Sequence, residues 1–532
     1  MAILSAAISP DGKYLAYSDQ TGEAHMLPQT EGYSVTSWFP DGTRMVASSS
    51  SGNSAHGIFV VSMLGSGAPR KIHESGGLAW VSPDGSKIAF IGSSSNEIWM
   101  MGPSGEEPHI LHPVPAGDLV TYLSWSPDGQ RVAWNRNHQE SNRVHSFIES
   151  RGLRDERITT LASDKELPGG ASEFIWLKDG RLLCALRELP PHQLDLNLWE
   201  IPTNVRVGQG AGRPKRLTNW AGFNIKAITA SADGKRLAFV EFAAQTDVSI
   251  GELEAGGAKM KTPRRLTLDE SNDRPTAWMP DSKAVLFNSD RTGNFAIFKQ
   301  EIDKESAEAV VSGKDDAIGG RVSADQQWIL YRSGPPQTSG TTSLLAPLLM
   351  RIPIAGGPPQ IVFESPGSFG MRCTRPPVNF CLCGEYQAKE RVYYSLDPLK
   401  GKGHELFRQE FGSGDADVSH DGQRFAYVLA GQKGNRIRFL NASGQPVRDM
   451  TVDGWEGFNS LDWAVDGKGL YVGSWTPKTG ATLLYIELNG KTHPLWRQHG
   501  NFRTWGIPSP DGRYLAILSG TTDNNVWMLE GF

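Results

Sequence analysis

The sequence predicts an all-β chain, a β-propeller of about twelve four-stranded blades, and three observations predict it. A Ser-Pro-Asp-Gly turn recurs along the 532 residues, its copies stand about 44 residues apart, and each is flanked by the same succession of short β-forming runs. Self-similarity at such a period marks a propeller or solenoid, because one small unit cannot bury its apolar face alone.

The turn comes first. SPDG stands at 9–12, 82–85, 126–129 and 509–512, with relatives FPDG (39–42), LKDG (177–180), SADG (231–234), MPDS (279–282), SADQ (323–326), SHDG (419–422) and AVDG (464–467). Pro presets φ at the first turn position, Asp bonds nearby backbone and Gly takes the left-handed position, as a tight hairpin requires. The turn aspartates are Asp11, Asp41, Asp84, Asp128, Asp179, Asp233, Asp281, Asp325, Asp421, Asp466 and Asp511. They are spaced 30, 43, 44, 51, 54, 48, 44, 96, 45 and 45 residues apart. The interval of 96 is twice 48, which implies a degenerate twelfth copy near 379–385. The short first interval implies that blade 1 lacks a strand.

The strands follow from the flanks. A short apolar run precedes each turn, and a basic residue with a β-forming run follows it, as in KYLAY (13–17), KIAFI (87–91) and RYLAIL (513–518). A third run follows, as in EIWMM (97–101), LWEI (198–201), AIFKQ (296–300) and NVWML (525–529), and often a fourth, as in RRLTL (264–268). Four strands per unit with no helical periodicity describe a β-meander, and units at this spacing are propeller blades. Trp38, Trp125, Trp176, Trp278 and Trp463 each lie three residues before a turn aspartate, and Trp80 lies four before. A position recurring in successive blades is expected to pack between neighbours.

Because rings usually hold four to eight blades, the expected division is into two six-bladed rings, 1–268 and 269–532, with one twelve-bladed ring as the alternative. The last repeat stops after its third run, and only about four residues precede the first inner strand. The sequence therefore offers no evident clasp strand; the chain is cut from a longer protein or the ring closes by side-chain packing.

Composition narrows the function. Lys and Arg total 53 against 58 Asp and Glu, a net charge of −5, which argues against nucleic-acid binding by broad phosphate neutralisation. Gly and Pro make about 17%, turn-rich but below the ~25–30% of disordered chains. No run approaches the ~18 apolar residues of a membrane span; the longest candidate, 344–350, is interrupted by Pro347. The opening MAILSAAISPDGKYL lacks a basic start and does not read as a signal peptide.

No motif assigns a catalytic, cofactor-binding or metal-ligating residue. G-x-S-x-G is absent, HELFR (404–408) lacks the second histidine of a zinc site, and NGKT (489–492) has Tyr485 in place of a phosphate loop's first glycine. Kinase signatures are also missing. DADVSHD (415–421) lacks the glycine and closing glutamate of a calcium loop and reads as a solvated turn. His109 and His112 lie on opposite faces of an expected strand. Four cysteines exclude a disulfide scaffold. Cys184 reads as a buried small hydrophobe, and Cys373, Cys381 and Cys383 cluster at the degenerate repeat with no histidine to make a zinc set. A Cys373–Cys381 disulfide would replace the lost turn in an oxidising compartment; free thiols are the alternative. Two insertions, 135–170 and 334–346, exceed the blade pattern and are where recognition would sit on a rigid ring; an elongated hairpin or a loop with no partner is the plainer reading of each.

These turns resemble the TolB-like β-propeller repeat, and SDRTGNFAIF (289–298) is close to its second-to-third strand segment. KRLTNWAGF (215–223), GELEAGG (251–257), AWMPDSKAVLFNSDRTG (277–293), GGPPQIVFE (356–364), YSLDPLKGKG (394–403) and PSPDGRYLAILSGTTDNNVWMLEGF (508–532) resemble a narrower group. This is the C-terminal propeller of bacterial signalling proteins, which follows a Ser/Thr kinase or winged-helix domain and a membrane helix. The resemblance implies a non-catalytic sensory or interaction module, with a protein or small-molecule ligand at the propeller mouth and no cofactor. It implies an extracytoplasmic location if a membrane-anchored parent carries it, and a cytoplasmic one if Met1 is the true start. The rivals are a propeller lyase or hydrolase with a dispersed channel site, and a stand-alone TolB-like envelope scaffold.

Overall fold

The computed structural model describes residues 5–531 apart from 19–26, 28–29, 31–32, 50–56, 64–66, 116, 141–142, 168–169, 189–194, 221–223, 336–346, 366, 368, 388–389, 411–413, 430, 432–433, 477–478 and 499–502. Most of the 334–346 insertion therefore lies outside the described residues.

Each turn is a small hydrogen-bonded device. Ser9 Oγ donates to Asp11 Oδ1 (2.7 Å) and accepts the Tyr14 amide (2.9 Å), while Asp11 Oδ1 accepts the Lys13 amide (3.1 Å). The same serine–aspartate bond recurs at Ser82–Asp84, Ser126–Asp128, Ser231–Asp233 and Ser509–Asp511, and at Ser323–Asp325 and Ser419–Asp421. The final position is left-handed: φ is +70° at Gly12 and +67° at Gly129, and Ser282 and Gln326 adopt the same conformation at +62° and +60°. These bonds hold the carboxyls of Asp11, Asp84 and Asp233 below the usual range and account for the aspartates without a metal.

The strands form antiparallel sheets, most of them four-stranded, that make two compact units, Met1–Ala243 with Asp523–Phe532, and Ala244–Thr522. The sequence reading placed the division at 268. In the first unit the inner strands are Ser5–Ile8, Tyr33–Trp38, Ala79–Val81, Asp118–Trp125, Ala171–Trp176 and Asn224–Ala230 (blades 1–6). Each packs on the next, and the sixth packs on the first. In the second unit they are Arg274–Trp278, Asp316–Val322, Phe369–Cys373, Ala416–Val418, Phe458–Trp463 and Gly506–Pro508 (blades 7–12), again in a closed cycle. Two six-bladed rings are thus formed, and the single twelve-bladed ring is excluded. Among the described residues blade 1 has only two strands, Ser5–Ile8 and Leu15–Ser18.

Closure departs from expectation. The stretch 520–525 has no Pro-Asp-Gly turn, so the last strand runs unbroken over Tyr514–Glu530, as Arg236–Glu254 does earlier. In the first ring, Asn224–Ala230 pairs with Arg236–Glu254, and the end of the chain adds the third strand of blade 6: Arg236 Nε donates to Glu530 (2.8 Å) and the Gly531 amide to the Lys235 carbonyl (3.2 Å). In the second ring, Gly506–Pro508 pairs with Leu515–Ile517, and Ser249 Oγ meets Ser519 Oγ at 2.7 Å. Arg264–Arg265 then pairs with Ser249–Ile250 on the outside of blade 12. Both rings have clasp strands, supplied by long strands rather than by a separate terminal one.

The recurrent tryptophans stitch blades together. Trp38 Nε1 donates to the Ala7 carbonyl (2.8 Å), Trp125 Nε1 to Trp80 (3.0 Å) and Trp278 Nε1 to Ile507 (2.8 Å), each on the neighbouring blade. Trp176 instead bonds Thr203 within blade 5, and the fully buried Trp463 indole N–H has no hydrogen-bond partner among the described residues. The 135–170 insertion is largely a long hairpin, Arg131–Glu140 on Arg143–Gly152. No helix among the described residues is long and apolar enough to cross a membrane.

Trp278 and Trp463 occupy the same blade position in one ring but differ in this bond. Trp278→Phe, which removes the indole bond to the Ile507 carbonyl, is expected to cost about 1 kcal/mol more in denaturant unfolding than Trp463→Phe; equal costs would show that the indole bond adds nothing to closure.

Candidate functional site

Side chains alternate along an inner strand. With the residue three before the turn aspartate set between blades, the residue four before it faces the channel. In the second ring these positions are Ala277, Arg321, Asp417, Asp462 and Ile507; blade 9, which has no turn aspartate, contributes Arg372 of its inner strand, and all six line one cavity of about 80 Å³. Two adjacent blades contribute cations, the next two carboxylates, and the last and first apolar groups. The matching positions in the first ring are Ala7, Ser37, Trp80, Ser124, Ile175 and Thr229, none of them charged.

Some of the second ring's charges are committed to the fold. Arg372 donates to Asp415, and its Nε lies 3.8 Å from Asp417 Oδ1. Asp417 Oδ2 accepts the Trp463 amide of blade 11 at 2.9 Å. This is the role of Ser37, Ser124 and Thr229 in the first ring, whose oxygens accept the amides of Val81, Trp176 and Ile8 on the following blades. Arg375, in the turn of blade 9, reaches blade 12 and donates to the carbonyls of Pro508 (2.7 Å) and Ser509 (3.2 Å). Blades 9 and 12 stand opposite in the cycle, so this side chain crosses the channel.

Three ionisable groups lining the cavity are uncommitted. Arg321, half-buried, makes no hydrogen bond or ion pair among the described residues, and neither does Asp462, which is 8% exposed. Both ring nitrogens of His420 are shielded and lack partners of normal geometry. Burial, reinforced by Arg372, lowers Arg321 to about 10, which leaves it cationic at neutral pH. Burial pushes Asp462 up to about 7; Arg372 and Arg321 oppose the shift and Asp417 adds to it. Asp417 is also raised by burial against Arg372, and the two carboxyls titrate together. Burial and the Arg375 cation pull His420 down to about 4, so its imidazole is neutral, although the nearby Trp463 backbone pulls the other way. Arg332, which does not line this cavity, makes no side-chain hydrogen bond or ion pair among the described residues and lies over Gly319, where a Cβ would be 3.2 Å from Arg332 Nη2.

The sequence reading of 415–421 as a solvated turn is corrected. Asp415 is ion-paired and Asp417 is buried on the inner strand Ala416–Val418; only Asp421 serves the turn. Cys373 and Cys381 face each other across the first hairpin of blade 9 and are joined by a disulfide that closes the 374–380 turn carrying Arg375. Cys184 and Cys383 are free and buried, and burial raises both thiols, Cys383 to about 12. No metal-ligating cluster occurs among the described residues. The channel residues escaped sequence reasoning because no one residue type recurs there; counting back four from each turn aspartate would have found all but Arg372, whose blade has no turn aspartate.

In comparisons with known proteins, no family model and no curated protein matches the sequence. Among solved structures, the chain is similar to the β-propeller domain of the Trilobed protease from Pyrococcus furiosus, at 15% identity over 62% of this chain and 96% of that one, with a TM-score of 0.28. It is similar to a putative TolB from Agrobacterium tumefaciens at 14% identity over 69% and 91%, TM-score 0.22. It is similar also to an oligogalacturonate lyase in complex with manganese at 10% identity over 98% and 97%, TM-score 0.28. These identities and scores are too low to bear on what this chain binds or does.

Proposed function

We propose that this chain is a non-catalytic, ligand-binding propeller whose site is the channel of the second ring, and that the ligand brings an anionic group. The observation that carries this reading is Arg321, a half-buried guanidinium lining a cavity with no partner among the described residues. Withdrawing a cation from water without pairing it costs stability, and residues that break local rules at such a cost mark functional positions. The resemblance to C-terminal propellers of signalling proteins supports a sensory role for such binding. The Cys373–Cys381 bridge supports an oxidising compartment, hence a place outside the cytoplasm.

A second reading, a channel enzyme, is favoured by Asp462, whose carboxyl near pH 7 suits a general acid. Recovery of bound ligand unchanged after long incubation separates binding from turnover.

Propionate serves as the simplest anionic probe. It is expected to raise the unfolding midpoint of the intact protein and to lose at least about ten-fold in affinity in Arg321→Gln, in line with loss of a charge-assisted bond. Without ligand, Arg321→Gln should be at least as stable as the parent. A destabilised variant that still binds propionate would remove the channel from consideration.

Asp462 gives a pH signature. Its folded pKa is raised, so the stability it contributes is fully present below about 4 and is lost as pH climbs through about 7. Relative to the parent, Asp462→Asn is therefore expected to gain on the order of 2 kcal/mol between pH 5 and pH 8, less than the full shift because Asp417 shares the titration. A difference between the two proteins that does not change with pH would refute this assignment.

A further inference from the structure

Resting on the reading of the second ring as an anion-binding channel, we infer that its ligand is a small zwitterion, an α-amino acid with a short apolar side chain. The inference comes from the order of residues around the ring. Blades 8 and 9 supply Arg321 and Arg372, blades 10 and 11 supply Asp417 and Asp462, and blades 12 and 7 supply Ile507 and Ala277. An α-amino acid carries the three complements of these sectors on one carbon atom: a carboxylate, an ammonium and a side chain.

The internal pairing leaves one group free on each charged side of the cavity. Arg372 is held by Asp415 and Asp417, and Asp417 by the Trp463 amide. What remains is Arg321 on blade 8 and Asp462 on blade 11. These blades stand opposite in the six-blade cycle, and no ion pair joins the two side chains, so a ligand bearing both charges can bridge them. Asp462 is more than nine-tenths buried, and as a partnerless carboxyl it suits a donor group rather than a second anion. The third sector is apolar: Trp278, Pro280, Pro508 and Pro510 stand beside Ala277 and Ile507. The cavity of about 80 Å³ restricts the ligand to a small one. Arg375 crosses the channel here, so a short side chain fits better than a long one.

The test uses the full chain at pH 8, where Asp462 is largely ionised, and matched probes that differ by one group. L-Alanine, L-valine and L-leucine are each titrated by calorimetry against the acid lacking the amino group: propionate, 3-methylbutanoate and 4-methylpentanoate. Ethylamine represents the ammonium alone. L-Alanine or L-valine is expected to bind at least ten-fold tighter than its deaminated acid, with ethylamine weaker than either. Asp462→Asn should bring that ratio close to one while leaving the affinity for the deaminated acid within two-fold. The retained acid binding also shows that the variant is folded. Arg321→Gln should weaken both partners of each pair. Equal binding of an amino acid and its deaminated acid by the parent protein would overturn the zwitterion and leave the anion channel standing. Failure of every carboxylate to bind would overturn both.

Discussion

Everything in this chain depends on the register set by one turn. In seven of the blades a serine hydroxyl ties the turn aspartate to the start of the second strand and fixes where the inner strand ends, as at Ser9, Asp11 and Tyr14. With that point fixed, counting backwards assigns each residue a face. The residue three back enters the seam between blades, where an indole reaches a carbonyl of the adjoining blade, and the residue four back enters the channel. A slip of one residue would exchange the two sets and set charges in the seams. Trp80 stands one place off its fellows, four before its turn aspartate, and its own carbonyl receives the Trp125 indole.

The two rings share this frame and fill it differently. In the first ring, the hydroxyls of Ser37, Ser124 and Thr229 bind amides of the next blade, so the channel-facing positions mainly serve the wall. In the second ring, Asp417 keeps that duty while Arg321 and Asp462 have none among the described residues. Buried groups without partners are costly, and a fold seldom retains them for its own sake. The same scaffold thus holds one channel devoted to its own cohesion and another with unsatisfied chemistry.

The architecture was legible because the turn residues are dictated locally. Proline, aspartate and glycine each answer a backbone demand that does not depend on the rest of the fold, so eleven copies could be found and a twelfth inferred from the spacing. The seam tryptophans were legible for the same reason, being one residue type at one offset. The channel was not, since Ala277, Arg321, Asp417 and Ile507 share no chemistry and gain meaning only when six distant segments converge. Asp417 in particular looked like one more polar residue near a turn; its burial follows from its parity on the strand. Ring closure was hidden because nothing in 520–525 distinguishes a turn from continuing strand until a neighbouring strand bonds to it.

The way the chain passes between its two rings bears on how it folds. It leaves the first ring partway along Arg236–Glu254 and returns only near the end of Tyr514–Glu530, so the second ring is an insertion within the first. During synthesis the second ring's segments emerge as one continuous block, and its clasp is complete once residues near 522 appear. The first ring, though made earlier, waits through that whole interval with blade 6 lacking its third strand. Its closing contacts, such as Arg236 with Glu530, join residues 294 positions apart. Contacts of such separation are the slowest to form. The ring begun first is therefore the ring finished last, and until then it presents an open strand edge on which a chaperone or another chain could pair.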